Sequence, residues 1–124
     1  MSKIFIFIGS ILAFFAVAFG AFGAHSLKPK LSNEMFAVYQ TAANYHMIHA
    51  LALIIVGVIF HWINNSSMIQ WSGLFLLLGI IFFSGSLYLL SVTGLKWLGP
   101  ITPVGGLCFL IGWLLLAIAV IRNG

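Results

Sequence analysis

Long apolar runs alternate with short polar breaks along this chain, and four of the runs are long enough to cross a bilayer. A spanning helix needs about 20 mostly apolar residues. Residues 4–24, 42–62, 69–92 and 103–121 meet that length without a single charged side chain. Short connections join the last three runs, so neighbouring helices should pack antiparallel. The pattern predicts an all-α protein: an integral membrane four-helix bundle, antiparallel and up-and-down, forming one transmembrane domain over residues 1–124.

The breaks carry boundary signals of their own. Trp62 and Trp71 bracket the second loop and Trp97 lies in the third, where amphipathic rings favour the headgroup level. In GPITPVGG, Thr102 is placed to cap the fourth helix, and Pro103 falls in its first turn, where a missing N–H does no harm. The first loop and its flanks, residues 25–41, should hold a short interfacial helix. Ser32 would cap it, Glu34 would sit in its first turn, and from Asn33 it would run on into the second span. Small residues recur four apart, at Gly9 and Ala13 and at Ala16, Gly20 and Ala24. Such ridges let helices approach closely in lipid. Gly79, Gly85, Gly105, Gly106 and Gly112 are expected to serve similar contacts.

Composition supports the same class. Hydrophobic residues make up 63% of the chain and charged ones 5%, against about 25% charged in soluble domains. The formal net charge of +4 comes from scattered cations that form no stripe for nucleic acid. At juxtamembrane positions, cations meet anionic headgroups and set topology. Lys28, Lys30 and Lys96 lie on one face and Lys3 and Arg122 on the other, so the count sets no orientation. The lone cysteine, Cys108, reads as a small buried hydrophobe. The first run resembles a signal peptide, but its 21 apolar residues exceed the usual h-region, and it is read as an uncleaved span.

Polarity inside the spans is one-sided. With four antiparallel spans, the first and third loops share a membrane face. Near it lie His25, Ser26, Gln40, Thr41, Asn44, Tyr45, His46 and His49, then Ser84, Ser86, Tyr88, Ser91, Thr93 and Thr102. The other face has His61, Asn64, Asn65, Ser66, Ser67, Gln70 and Ser72, in or beside a loop that water reaches. At 100° per residue, Thr41, Tyr45 and His49 form one stripe, with His46 about 60° to its side. Two uses compete for these groups. They can bond between helices and fix the packing, at an average of about 0.6 kcal/mol each, or they can line a pocket.

The candidate chemistries separate on ligand supply. His46-x-x-His49, with His25 as a third imidazole, is the one metal candidate, but the spans contain no Asp or Glu to complete a site. No metal and no cofactor, haem included, is expected. Imidazole could serve as acid or base beside Ser84 or Ser86, yet an activated nucleophile also needs an orienting partner, and the only carboxylate, Glu34, is in the loop. A binder is favoured over an enzyme, and no catalytic residue is assigned. Conduction needs a polar path across both leaflets, which the second leaflet lacks. The candidate ligand-binding set is therefore His25, Thr41, Tyr45, His46, His49, Ser84, Ser86, Tyr88, Lys96, Thr102 and Gly105. The expected ligand is a lipid headgroup or small solute. The alternatives are a His-centred metal or redox membrane enzyme and an assembly subunit of a membrane complex. The small-residue ridges permit a homo-oligomer or a membrane protein partner.

Four stretches, GAFGAHSLKPKL (20–31), YQTAANYHMIHALAL (39–53), FFSGSLYLLSVTG (82–94) and LGPITPVGGLCFLIGW (98–113), resemble in that order the YgdD-like family. These are small bacterial membrane proteins of unknown function with a eukaryotic transmembrane relative. The resemblance covers nearly the whole chain and implies a multi-pass protein of a bacterial plasma membrane. It brings no activity. The residues that carry it (Gly23, His25, His46, His49, Ser84, Gly85, Ser86, Tyr88, Thr102, Pro103 and Gly105) coincide with the polar leaflet.

Overall fold

Each apolar run becomes a helix because a backbone in lipid must satisfy its hydrogen bonds within the segment. The structure, a computed structural model, describes residues 1–63 and 66–123; Asn64 and Asn65 of the second loop lie outside the described residues. Helix α1 covers Ser2–Phe22 and widens into a π-helical turn at Gly23–Leu27. Helix α2 is the longest, Asn33–Trp62. Helix α3, Ser67–Gly79, passes through a second π turn at Ile80–Ser84 into α4, Gly85–Thr93. A 3-10 stretch, Lys96–Ile101, leads into α5, Thr102–Asn123. Among the described residues there is no strand, and four helical segments are long and apolar enough to span a membrane. The protein is a helical membrane bundle.

Local chemistry fixes most of the ends. The Ser32 hydroxyl accepts from the Met35 N–H at 3.1 Å and starts α2 at Asn33, so the interfacial turn and the second span are one helix. Ser66 caps α3 in the same way through the Ile69 N–H. Gly94 ends α4 at φ 73°, a left-handed conformation that glycine adopts without a steric cost, and donates to the Leu90 carbonyl. The fourth span departs from expectation. Thr102 already has helical dihedrals (φ −56°, ψ −47°) because the 3-10 stretch arrives coiled. It is no cap, and its hydroxyl is spent elsewhere.

The helices pair as two hairpins. α1 packs mainly on α2, α3 packs on α5, and α2 joins the hairpins by touching α3 and α4. Phe5, Leu53, Val56, Ile69, Leu76 and Phe109 form the core between them. α1 and α2 are drawn together by small residues seven apart, not four. Gly9, Ala16 and Gly23 are buried on α1, and Ala50 and Gly57 are buried on α2. A Cβ at Gly9 would come within 2.9 Å of the Ala50 carbonyl, and one at Gly57 within 2.9 Å of the Ser2 carbonyl. Gly20 and Gly85, by contrast, face open space. Gly79 and Gly112 give way to Phe109 and Leu76, and Gly105 presses on the backbone of Phe82 and Phe83. Hydroxyls then reach across to carbonyls: Ser2 to Gly57 and Ser72 to Gly112, each at 2.7 Å.

Close approach at these glycines predicts a contrast. Gly9→Ala and Gly105→Ala should each destabilise by about 1–3 kcal/mol through overpacking against backbone, whereas Gly20→Ala should be neutral within about 0.5 kcal/mol. Reversible unfolding in mixed micelles measures all three.

Candidate functional site

The buried positions of α2 explain where the polar leaflet goes. Tyr39, Ala42, His46, His49, Leu53, Val56 and Phe60 are all buried, at alternating three- and four-residue steps, the spacing of a helix seam packed on its neighbours. Both histidines belong to this seam, each 4% exposed. They serve different neighbourhoods.

His49 faces α5. Its Nδ1 lies 2.8 Å from the Tyr45 carbonyl, which can only accept, so Nδ1 carries the proton. Nε2 must then accept, and it does so from the Trp113 indole N–H at 3.0 Å. The ring is a neutral imidazole in one tautomer with both nitrogens engaged. It stacks on Phe109 at a centroid distance of 3.6 Å and nearly parallel to Tyr45. Any metal at His49 would have to displace Trp113 or Tyr45.

His46 faces α1 and α4. Its Nδ1 is 2.9 Å from the Tyr88 hydroxyl, and its ring lies against Tyr88 and Phe19. The ring also faces the Leu12 carbonyl, and Nε2 closes no hydrogen bond. Tyr39 completes this cluster by donating to the Phe19 carbonyl at 2.6 Å and packing edge-on against Tyr88.

The remaining predicted residues fall into a bonded group and an exposed rim. Ser84 ends the second π turn and donates to the Ala42 carbonyl of α2 at 2.9 Å. Ser86 gives its one hydroxyl hydrogen to the Phe83 carbonyl (3.0 Å), so the 2.6 Å contact with Thr102 is donated by Thr102. Gly105 is buried against the Phe83 backbone, which explains the missing side chain there by helix contact. His25, Thr41 and Lys96 are exposed, and Thr41 bonds back to the Ala37 carbonyl of its own helix. Among the described residues no three His, Cys, Asp or Glu side chains converge.

An open space borders His49. Between α2 and α5 a groove of about 540 Å³ is walled by Tyr45, His49, Phe83, Phe109 and Trp113 and rimmed by Gly106 and Leu110. Tyr45 and Trp113 are both 41% exposed at its mouth. The Tyr45 hydroxyl makes no hydrogen bond to the described residues. Sequence reasoning missed Phe83, Phe109 and Trp113. The signal was present: Gly105, Phe109 and Trp113 recur four apart on the face that meets the second π turn.

The His49 geometry is directly testable. Nitrogen NMR should report Nδ1 protonated and Nε2 bare, and Trp113→Phe should shift the Nε2 resonance. The same substitution should cost roughly 0.6–1.7 kcal/mol of stability, the range for hydrogen bonds between membrane helices.

Comparison with known proteins places this arrangement in a family. Residues 19–106, which contain the polar leaflet, match the family described as "Protein of unknown function (DUF423)". The chain is 48% identical over 120 residues to UPF0382 membrane protein SH2409 of Staphylococcus haemolyticus, covering 97% of each. It is 42% identical over 120 residues to UPF0382 membrane protein YwdK of Bacillus subtilis, covering 97% of this chain and 98% of that one. No solved structure matches. With a match over most of its length and relatives similar from end to end, the chain belongs to the DUF423 (UPF0382) family of small membrane proteins.

Proposed function

We propose that the protein binds a membrane amphiphile as a multi-pass protein of a bacterial plasma membrane. In this reading the apolar part of the ligand lies in the groove between α2 and α5, and its head meets the face that carries the first and third loops. The carrying observation is the groove itself, an aromatic wall open to the side, with a Tyr45 hydroxyl at its mouth that bonds to none of the described residues. Lys96, His25 and Thr41 are exposed on the same membrane face and suit a polar or anionic head. His49 is part of the wall, and His46, Ser84, Ser86, Tyr88, Thr102 and Gly105 act behind it by fixing the helices. Relatives in Staphylococcus and Bacillus named as membrane proteins support the location, as does the resemblance to the YgdD-like family.

A second reading, an assembly subunit or homo-oligomer, is favoured by one other place. Gly20 and Ala24 of the first span and Gln40 and Asn44 of α2 line a shallow groove of about 150 Å³. Both carboxamides lack a hydrogen bond to the described residues. Small residues and amides together are what an incoming helix uses in lipid.

Native mass spectrometry of gently extracted protein tests both. Gly106→Leu should fill the α2–α5 groove without a clash, since a Cβ there meets only ring atoms of Phe83 at 3.8 and 4.0 Å. The expected result is one adduct on the parent that Gly106→Leu loses at unchanged thermal midpoint, whatever else either protein carries. A dimer that Asn44→Leu dissociates, with no adduct in either protein, would transfer the assignment to assembly.

A further inference from the structure

Another open space lies on the opposite membrane face. It holds about 560 Å³ beside the start of α3 and the end of α5. Its lining divides by depth. Arg122, Ser66 and Ser67 stand at the loop level, and Trp71, Phe75 and Leu115 continue inward. At 1.5 Å per residue, Phe75 is about 13 Å along α3 from Ser66, and Leu115 is about 10 Å along α5 from Arg122. The space therefore begins where headgroups lie and ends among acyl chains, with Trp71 between them at 57% exposure.

Charge selects the occupant. Arg122 has no carboxylate partner among the described residues, and the one acidic side chain of the sequence, Glu34, opens α2 at the other membrane face. The Ser67 hydroxyl makes no hydrogen bond to the described residues, and the Ser66 hydroxyl oxygen accepts only a long 3.4 Å bond from Ile69. A guanidinium beside two hydroxyls matches a phosphodiester, and arginine's planar fork binds phosphate in two places at once. A zwitterionic lipid would bring its own cation to that phosphate, and a free phosphate would leave the apolar floor empty.

We propose that this space is a binding site for one anionic phospholipid. Its phosphodiester sits on Arg122 and the Ser66–Ser67 hydroxyls, and one acyl chain lies along Trp71, Phe75 and Leu115. The site is separate from the α2–α5 groove and does not depend on the function proposed for that groove.

Titration of the detergent-solubilised full chain with phosphatidylglycerol or phosphatidylcholine of matched chains, read by native mass spectrometry, tests it. Phosphatidylglycerol should bind the parent several-fold more tightly than phosphatidylcholine. Arg122→Gln should weaken phosphatidylglycerol about fivefold, the attraction of one interfacial cation. Leu115→Trp, which fills the apolar end, should abolish the adduct. Lys3→Gln, a cation of the same face outside the space, and Gly106→Leu, which closes the other groove, should both keep the adduct that Arg122→Gln weakens. Millimolar inorganic phosphate should not displace the lipid. Equal binding of the two lipids, an unchanged Arg122→Gln, or an equal loss in Lys3→Gln would overturn the site in favour of diffuse surface charge. Displacement by phosphate would overturn the acyl contact, and loss in Gly106→Leu would move the lipid to the α2–α5 groove. Arg122 is exposed, so its substitution leaves the fold intact, and matching thermal midpoints verify that for every variant.

Discussion

Helices in lipid gain nothing from hiding apolar surface, because the solvent is as apolar as the side chains. Everything that holds this bundle must therefore come from close approach and from hydrogen bonds that lipid cannot replace. The glycines at 9, 57 and 105 bring backbones into contact. Hydroxyls of Ser2, Ser72 and Ser84 reach carbonyls of neighbouring helices. Ordinary hydrophobic residues fill the space that these contacts define.

Seen this way, the two histidines are connectors. His46 joins α2 to Tyr88 of α4, and His49 joins α2 to Trp113 of α5. Ser84 adds a third link from the π turn back to Ala42. All three cross from the first hairpin to the second, where the two meet through α2. The second π turn belongs to the same design. By adding a residue to a turn it swings the backbone of Phe83 toward α5, and only a glycine at 105 leaves room for it. The open groove lies beside this arrangement, and its wall is made of the aromatic rings that the connectors hold in place.

The spans and the helical membrane class were legible because about 20 apolar residues without charge have few other uses. The crowding of polar groups toward the first and third loops was legible for the same reason. The partners were not. A four-residue stripe through Thr41, Tyr45 and His49 placed three side chains together, yet Thr41 and Tyr45 are exposed and only His49 is buried. The seven-residue spacing through Tyr39, His46, Leu53 and Phe60 governs burial, since these positions face the neighbouring helices while Ile48, Leu51, Ile55 and Val58 on the other side are exposed. The same error of period affected the small residues, where Gly9, Ala16 and Gly23 form the true contact and Gly20 none. Thr102 was misjudged as a cap because nothing in its neighbours announced that the preceding stretch would already be coiled. Trp113 and Phe109 went unnoticed as partners because an aromatic in an apolar run looks like filling until something polar is found beside it.

The division into two hairpins has a bearing on how the protein is made. The α1–α2 pair is complete in its own contacts once Ser2 and Tyr39 have found Gly57 and Phe19. Its outer face still presents His46 and His49 to whatever lies beside it. During synthesis that neighbour is lipid or the insertion machinery, because Tyr88 and Trp113 emerge from the ribosome later. The first hairpin thus enters the bilayer with one nitrogen of each imidazole still to be matched by Tyr88 or Trp113, a state favouring prompt capture of the second hairpin over diffusion away from it.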